Sequence, residues 1–124
     1  MPPLSKILLV EDDPATREMM ETWLDTEGYD VRTASNGREA LTLMRNEAPN
    51  LMVVDLNMPV MDGAELRRQQ LQMPSVSGIP FVLVSASQSA ERVAHDLGID
   101  DVIAKPFDAD RLLRIVGSHC HRGH

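Results

Sequence analysis

No apolar stretch in this 124-residue chain is long enough to cross a membrane. The longest uninterrupted runs, such as Ile7 to Val10 and Leu51 to Val54, fall far short of the roughly 20 residues that a spanning helix needs. The start, Met1-Pro2-Pro3-Leu4-Ser5-Lys6, lacks the basic segment, apolar stretch and small-residue cleavage site of a secretory signal, so the expected address is cytoplasmic. Cys120 is the single cysteine, which excludes an intramolecular disulfide and agrees with a reducing compartment. Positive charge is scarce. Twelve lysines and arginines face 19 acidic residues, and a net charge of −7 repels a phosphate backbone, which argues against direct nucleic-acid binding. Internal repeats, low-complexity segments and an interdomain linker are missing as well.

What is present is ordinary globular material: 43% hydrophobic and 25% charged residues, in a length suited to one domain. The expected division is a single domain over 1–124, with a core of about 6–117 and a tail at 118–124. Lys6-Ile-Leu-Leu-Val10 reads as a strand, and Pro14 opens a helix in which Met19, Met20, Trp23 and Leu24 recur at helical spacing until Gly28. Tyr29, Val31 and Thr33 alternate with polar residues, as an edge strand does. A second helix opens near Arg38, with Ala40, Leu41, Met44 and Ala48 on one stripe, and the continuous run Leu51-Met-Val-Val54 predicts a central strand covered on both faces. Helix and strand keep alternating: a helix at Ala64 to Gln72, a strand at Pro80 to Val84, a helix at Ala90 to Leu97, a strand near Val102 to Ala104, and a last helix from Asp108. Such alternation predicts an α/β fold, one doubly wound parallel sheet of five strands with helices on both faces.

In a sheet of this kind, function gathers at the carboxyl ends of the strands. Glu11, Asp12 and Asp13 follow the first strand, Asp55 ends the third, Ser85 the fourth and Lys105 the fifth. Carboxylates gathered in one pocket repel one another, and a hard divalent cation with oxygen ligands, Mg²⁺ above all, relieves that repulsion. With open positions on the metal for phosphate oxygens, Asp55 becomes a candidate nucleophile for phosphoryl transfer, Lys105 a point charge for one phosphate oxygen and Ser85 a donor to another.

Four segments carry a resemblance. Val10-Glu-Asp-Asp-Pro14, Val54-Asp-Leu-Asn-Met-Pro59 with Met61-Asp-Gly63, Val84-Ser-Ala86 and Ala104-Lys-Pro-Phe107 together resemble the receiver domain of two-component response regulators, from Ile7 to about Val116. The resemblance implies a flavodoxin-like strand order of 2-1-3-4-5. It implies phosphorylation of Asp55, with Asp12 as a direct Mg²⁺ ligand, Glu11 acting through water, Asp55 itself and the backbone carbonyl of Asn57 completing the metal set, and Asp13 lying one residue beyond. The Asn57 side chain and Ser87 then lie where receivers tune loss of the phosphoryl group, and Lys105-Pro106 matches the family's cis peptide. Implied partners are a sensor histidine kinase or histidine phosphotransfer protein and a downstream protein target or output domain, with a phosphorylation-dependent homodimer as a further form. With no output domain in the sequence given, the expectation is a stand-alone or isolated receiver. One departure stands out: where receivers often carry Tyr or Phe three residues before the lysine, this chain has Val102, so an aromatic rotation toward Ser85 cannot transmit the signal.

Plainer readings of the same residues compete with this one. Acids at positions 11 to 13 suit a helix N-terminus without any metal, and Ser85 could be satisfied by backbone alone. A Mg²⁺-dependent phosphatase using Asp55 as nucleophile is the alternative from the enzyme class, with little sequence left to build a substrate cap. A flavin-phosphate binder is disfavoured by the acidic first loop and the missing glycine-rich phosphate loop. The methionines Met19, Met20, Met44 and Met52 read as core filling, with Met58 and Met61 beside the active loop harder to dismiss. His119, Cys120, His121 and His124 could chelate a transition metal, but a frayed chain end is the preferred reading.

Overall fold

The computed structural model describes residues 4–120. Five short apolar runs form the strands β1 (Lys6–Val10), β2 (Asp30–Ala34), β3 (Leu51–Asp55), β4 (Phe81–Ser85) and β5 (Asp101–Ala104). Between and after them lie α1 (Pro14–Thr26), α2 (Gly37–Asn46), α3 (Gly63–Leu71), α4 (Ala90–Leu97) and α5 (Ala109–Gly117). All four strand pairings are parallel, in the order β2-β1-β3-β4-β5. That is the architecture the alternation and the resemblance predicted.

The burial of each strand follows from its place in the sheet. In β3 and β4 every residue is buried, because helices cover both faces, whereas in the edge strand β2 only Ala34 is. Successive side chains alternate between the faces. Leu8, Val10, Met52, Val54 and Leu83 pack under Ala40 and Met44 of α2 and Leu66 of α3. Ile7, Leu9, Val53, Val82 and Ile103 pack under Met20 and Leu24 of α1 and Leu112 and Val116 of α5.

Four helices start on a side-chain cap that also fixes the preceding loop. Asp13, Asn36, Asp62 and Asp108 each accept a hydrogen bond from the backbone N–H three residues on, which satisfies a donor the helix cannot. Ser89, at the start of α4, makes no such bond. The other end of α4 is fastened instead, by the buried Arg67 of α3. Its Nε donates to the Leu97 carbonyl at 3.0 Å and its Nη2 to the Gly98 carbonyl at 2.7 Å, while Nη1 reaches Gln70 at 2.8 Å and the guanidinium lies 5.4 Å from the centre of the Phe81 ring. Burial lowers the pKa of this arginine.

Some boundaries and side chains differ from the sequence reading. The helix α2 opens one residue before Arg38, on Gly37, and stops at Asn46, so Ala48 lies outside it and is exposed. Met19 is 41% exposed rather than core filling, since the buried seam of α1 runs through Met20 and Leu24 and a neighbour on a helix points about 100° away. Met44 and Met52 are buried as expected. The strand β4 begins at Phe81, one residue past Pro80, and ends on Ser85. In the tail, His119 holds Asp101 at 2.7 Å and Cys120 is half-buried, with burial raising its thiol pKa; His121 and His124 lie outside the described residues. No helix among the described residues is long and apolar enough to cross a membrane.

Candidate functional site

Parallel pairing sets the carboxyl ends of the strands level. Val10 stands beside Val54, Asp55 beside Val84, and Ser85 beside Ala104. The backbone bonding then runs one residue past the strands: Glu11 N–H donates to the Ala34 carbonyl, Leu56 N–H to Val84 and Lys105 N–H to Ser85, at 2.9 to 3.1 Å. The loops bearing the acids and the lysine therefore leave the sheet in fixed directions.

At that edge the side chains converge. Lys105 Nζ lies 3.0 Å from Glu11 Oε1 and 3.5 Å from Asp55 Oδ2. Glu11 and Asp55 are 1% and 6% exposed, and carboxylate oxygens of Glu11, Asp12 and Asp55 all lie within 4.8 Å of one another. Burial raises the Glu11 pKa, against the pull of its hydrogen bonds from Lys105 and from the Asp13 N–H. Burial works against the charge on Lys105 too, yet Glu11 and Asp55 outweigh it and the ammonium pKa rises. Three carboxylates share one ammonium here, so the pocket holds excess negative charge on hard oxygen donors, a set that suits Mg²⁺.

Asp13 is placed elsewhere. Its carboxylate turns to α1, where it accepts from the Thr16 hydroxyl at 2.6 Å and the Thr16 N–H at 2.9 Å, and these bonds lower its pKa. Of the three consecutive acids, two face the pocket and the third caps a helix. Ser85 is 2% exposed, and its Oγ accepts the Ser87 N–H at 2.9 Å, which leaves the hydroxyl proton to be donated. The Ser87 hydroxyl in turn bonds that of Ser89 at 2.7 Å. Asn57 is exposed on the loop after β3, the Lys105–Pro106 peptide is cis, and Val102 packs into the layer beneath α2, α3 and α4.

Several residues that shape the pocket were not read from the sequence as doing so. Arg17, on α1, sends Nη1 back to the Glu11 carbonyl at 2.9 Å and the Asp12 carbonyl at 3.4 Å. Its signal was a cation in a first turn that carries no acid. Gly63 brings α3 against the end of β3: its N–H donates to the Leu56 carbonyl at 2.9 Å, and a Cβ there would sit 2.7 Å from the Asp55 carbonyl oxygen. Gly37 meets the same loop from α2, where a Cβ would come within 2.8 Å of Met61. Val60, 70% exposed, holds φ at 69°, a conformation that β-branched residues rarely adopt.

Comparison with known proteins agrees with this arrangement. A family model described as the response regulator receiver domain matches residues 7–117. The chain is 38% identical over 116 residues to an uncharacterized 14.6 kDa protein of Leptolyngbya boryana, covering 92% of this chain and 88% of that protein. It is 41% identical over 110 residues to the response regulator MprA of Mycolicibacterium vanbaalenii, covering 87% of this chain but only 47% of MprA. Among solved structures, the receiver domain of a sensor histidine kinase from Pseudomonas aeruginosa, crystallised with magnesium in its active-site cleft, superposes with a TM-score of 0.86 at 27% identity, covering 94% of this chain and 98% of that one.

Proposed function

The chain belongs to the response regulator receiver domain family, and from that premise we propose that Asp55 is the residue on which it accepts the phosphoryl group. The observation that carries this is the placing of Lys105 between Glu11 and Asp55 at the carboxyl edge of the sheet, with Asp12 beside them. An Asp55 carboxylate oxygen attacks phosphorus. As the acyl phosphate bond forms, the bond from phosphorus to the donor's leaving atom breaks, and the leaving group departs with that electron pair. Lys105 pairs with one transferred oxygen and the Ser85 hydroxyl donates to another. Asp12, Asp55 and the Asn57 carbonyl would hold Mg²⁺ directly and Glu11 through water; bound there, the ion neutralises charge on the transferred oxygens. Asn57 and Ser87 would set the rate of hydrolysis, which the domain itself promotes slowly.

The phosphoryl donor is a histidine kinase or a phosphotransfer protein, and the reader is a downstream protein or an output domain, with a phosphorylation-dependent homodimer as a further form. The face built by α4, β5 and α5 would carry the readout, with Val102 in place of an aromatic ring. Relatives named as response regulators support this signalling role and give no support to the phosphatase alternative. The test is incubation with Mg²⁺ and acetyl phosphate followed by intact mass measurement. The wild type gains one phosphoryl group and Asp55→Asn gains none; a variant that still took up the mass would place the acceptor elsewhere.

A further inference from the structure

We propose that Arg17 is a positioning residue for the metal ligands: by fastening the backbone of Glu11 and Asp12, it aims their carboxylates at one cation. The inference rests on the reading that the acid cluster takes Mg²⁺. Arg17 stands in the opening turn of α1, where the helix presents the positive end of its dipole and a cation is unfavourable. Helical side chains lean toward the N-terminus, and this one follows that lean back past Pro14 to the acidic loop. There Nη1 donates to two successive carbonyls, those of Glu11 and Asp12. Among the described residues Arg17 forms no salt bridge, so its hydrogen bonds are spent on carbonyl oxygens and none on carboxylates.

That choice of acceptor matters. A guanidinium bound to the carboxylates would compete with the metal, whereas one bound to the carbonyls fixes the peptide units and leaves the acid oxygens to face inward. The Asp13 N–H completes the loop by donating to Glu11 Oε2 at 3.1 Å, and Lys105 holds Oε1 at 3.0 Å. Glu11 is thereby fixed at its carbonyl and at both side-chain oxygens, while Asp12 is fixed only at its carbonyl, by the longer 3.4 Å contact. Loss of Arg17 would release both peptide units together. Residues that orient metal ligands in this way typically contribute about 10–100-fold to metal affinity.

The test separates positioning from charge. Mg²⁺ is titrated into wild type, Arg17→Met and Arg17→Lys by calorimetry, with no phosphoryl donor present. As a mere nearby cation, Arg17 would repel the ion, and its removal would tighten binding; as a positioning residue, its loss weakens binding, by about tenfold in Arg17→Met. Arg17→Lys keeps one donor for the Glu11 carbonyl and loses about threefold. In acetyl phosphate labelling, Arg17→Met needs about tenfold more Mg²⁺ for half-maximal rate but matches wild type within about twofold at saturation. Unchanged or tighter Mg²⁺ binding, or a labelling rate that stays low at saturating Mg²⁺, overturns the proposal. If Arg17→Met fails to fold, Arg17→Lys decides by the same calorimetric criterion. Wild-type protein that binds Mg²⁺ without being labelled would count against the proposed function and leave the Arg17 titration valid.

Discussion

Replacing Gly63 by alanine tests whether α3 really presses on the end of β3. Alanine ordinarily suits a helix better than glycine, and the loss of freedom in the unfolded chain alone would stabilise the fold by about 0.4–1 kcal/mol. Here the added Cβ would lie 2.7 Å from the Asp55 carbonyl oxygen and 3.0 Å from Leu56 Cα, roughly 0.7 Å short of ordinary contact at the closer atom. Both obstacles are backbone atoms of a buried strand end, so no flexible side chain can swing aside. Forced overpacking of this kind costs about 1–3 kcal/mol, and the net expectation is a loss of about 1–2 kcal/mol, or roughly 4–8 °C in melting temperature for a chain of this size. Gly78→Ala is the control, because a Cβ there meets nothing within 4 Å. Urea unfolding can be followed by Trp23, the only tryptophan, half-buried with its ring 6.2 Å from that of Phe107. The displaced atoms belong to Asp55, the proposed phosphoacceptor, and to its neighbour, and a shift approaching 1 Å in a reacting group can slow chemistry by up to about a hundredfold, so acetyl phosphate labelling should suffer along with stability. Gly63→Ala as stable as Gly78→Ala would refute the close approach.

Two further outcomes follow from strain and from charge. Val60→Gly relieves a left-handed conformation that costs a branched residue about 1–2 kcal/mol while adding about 0.5–1 kcal/mol of unfolded-chain freedom, so the urea midpoint should rise by the equivalent of roughly 0.5–1 kcal/mol. An unchanged or lower midpoint would show that the β3–α3 loop needs the valine side chain. The raised pKa of Glu11 means that the fold holds this proton more tightly than the unfolded chain does, whose carboxyl titrates near 4.5. Without metal, Glu11 therefore lowers stability progressively as pH rises from about 4.5 through its folded value. With saturating Mg²⁺ the sign reverses, because protons compete with the metal and affinity grows as the carboxyl ionises. Melting temperatures of wild type minus Glu11→Gln, between pH 4 and 8, should fall with pH in chelator and rise with pH in Mg²⁺; parallel curves in the two buffers would contradict the metal assignment. Asp13, whose pKa is lowered, affects only the range below about 3.8 and does not confuse this window.

Much of the pocket was legible in the sequence because parallel topology converts strand order into place. Short connections at the ends of apolar runs place Glu11, Asp55, Ser85 and Lys105 at one edge by topology alone, and the contacts of Lys105 with Glu11 and Asp55 agree. Orientation within a loop was harder. Glu11, Asp12 and Asp13 look alike as residues, and only the bonds from Thr16 show that the third serves a helix. Met19 and Met20 are adjacent, and composition alone does not say which one lies on the buried seam. Arg67 reads as a surface charge by type, yet it is buried because two carbonyls at the end of α4 and a glutamine meet its donors there, an arrangement set by partners 30 and 31 residues away and by one in its own helix. The tightness at Gly37 and Gly63 and the positive φ of Val60 belong to the path of the backbone, which periodicity does not describe.

Lys105 and Glu11 are 94 residues apart in the chain, and three strand boundaries lie between the ends they occupy. A nascent chain that has laid down β1 through β4 already carries Glu11, Asp12 and Asp55 but not Lys105. Until β5 docks, Glu11 and Asp55 lack the one side-chain cation that pairs with them among the described residues. The ion pair thus ties completion of the pocket to completion of the sheet: its carboxylates come from the ends of β1 and β3, and its ammonium arrives only with the last strand.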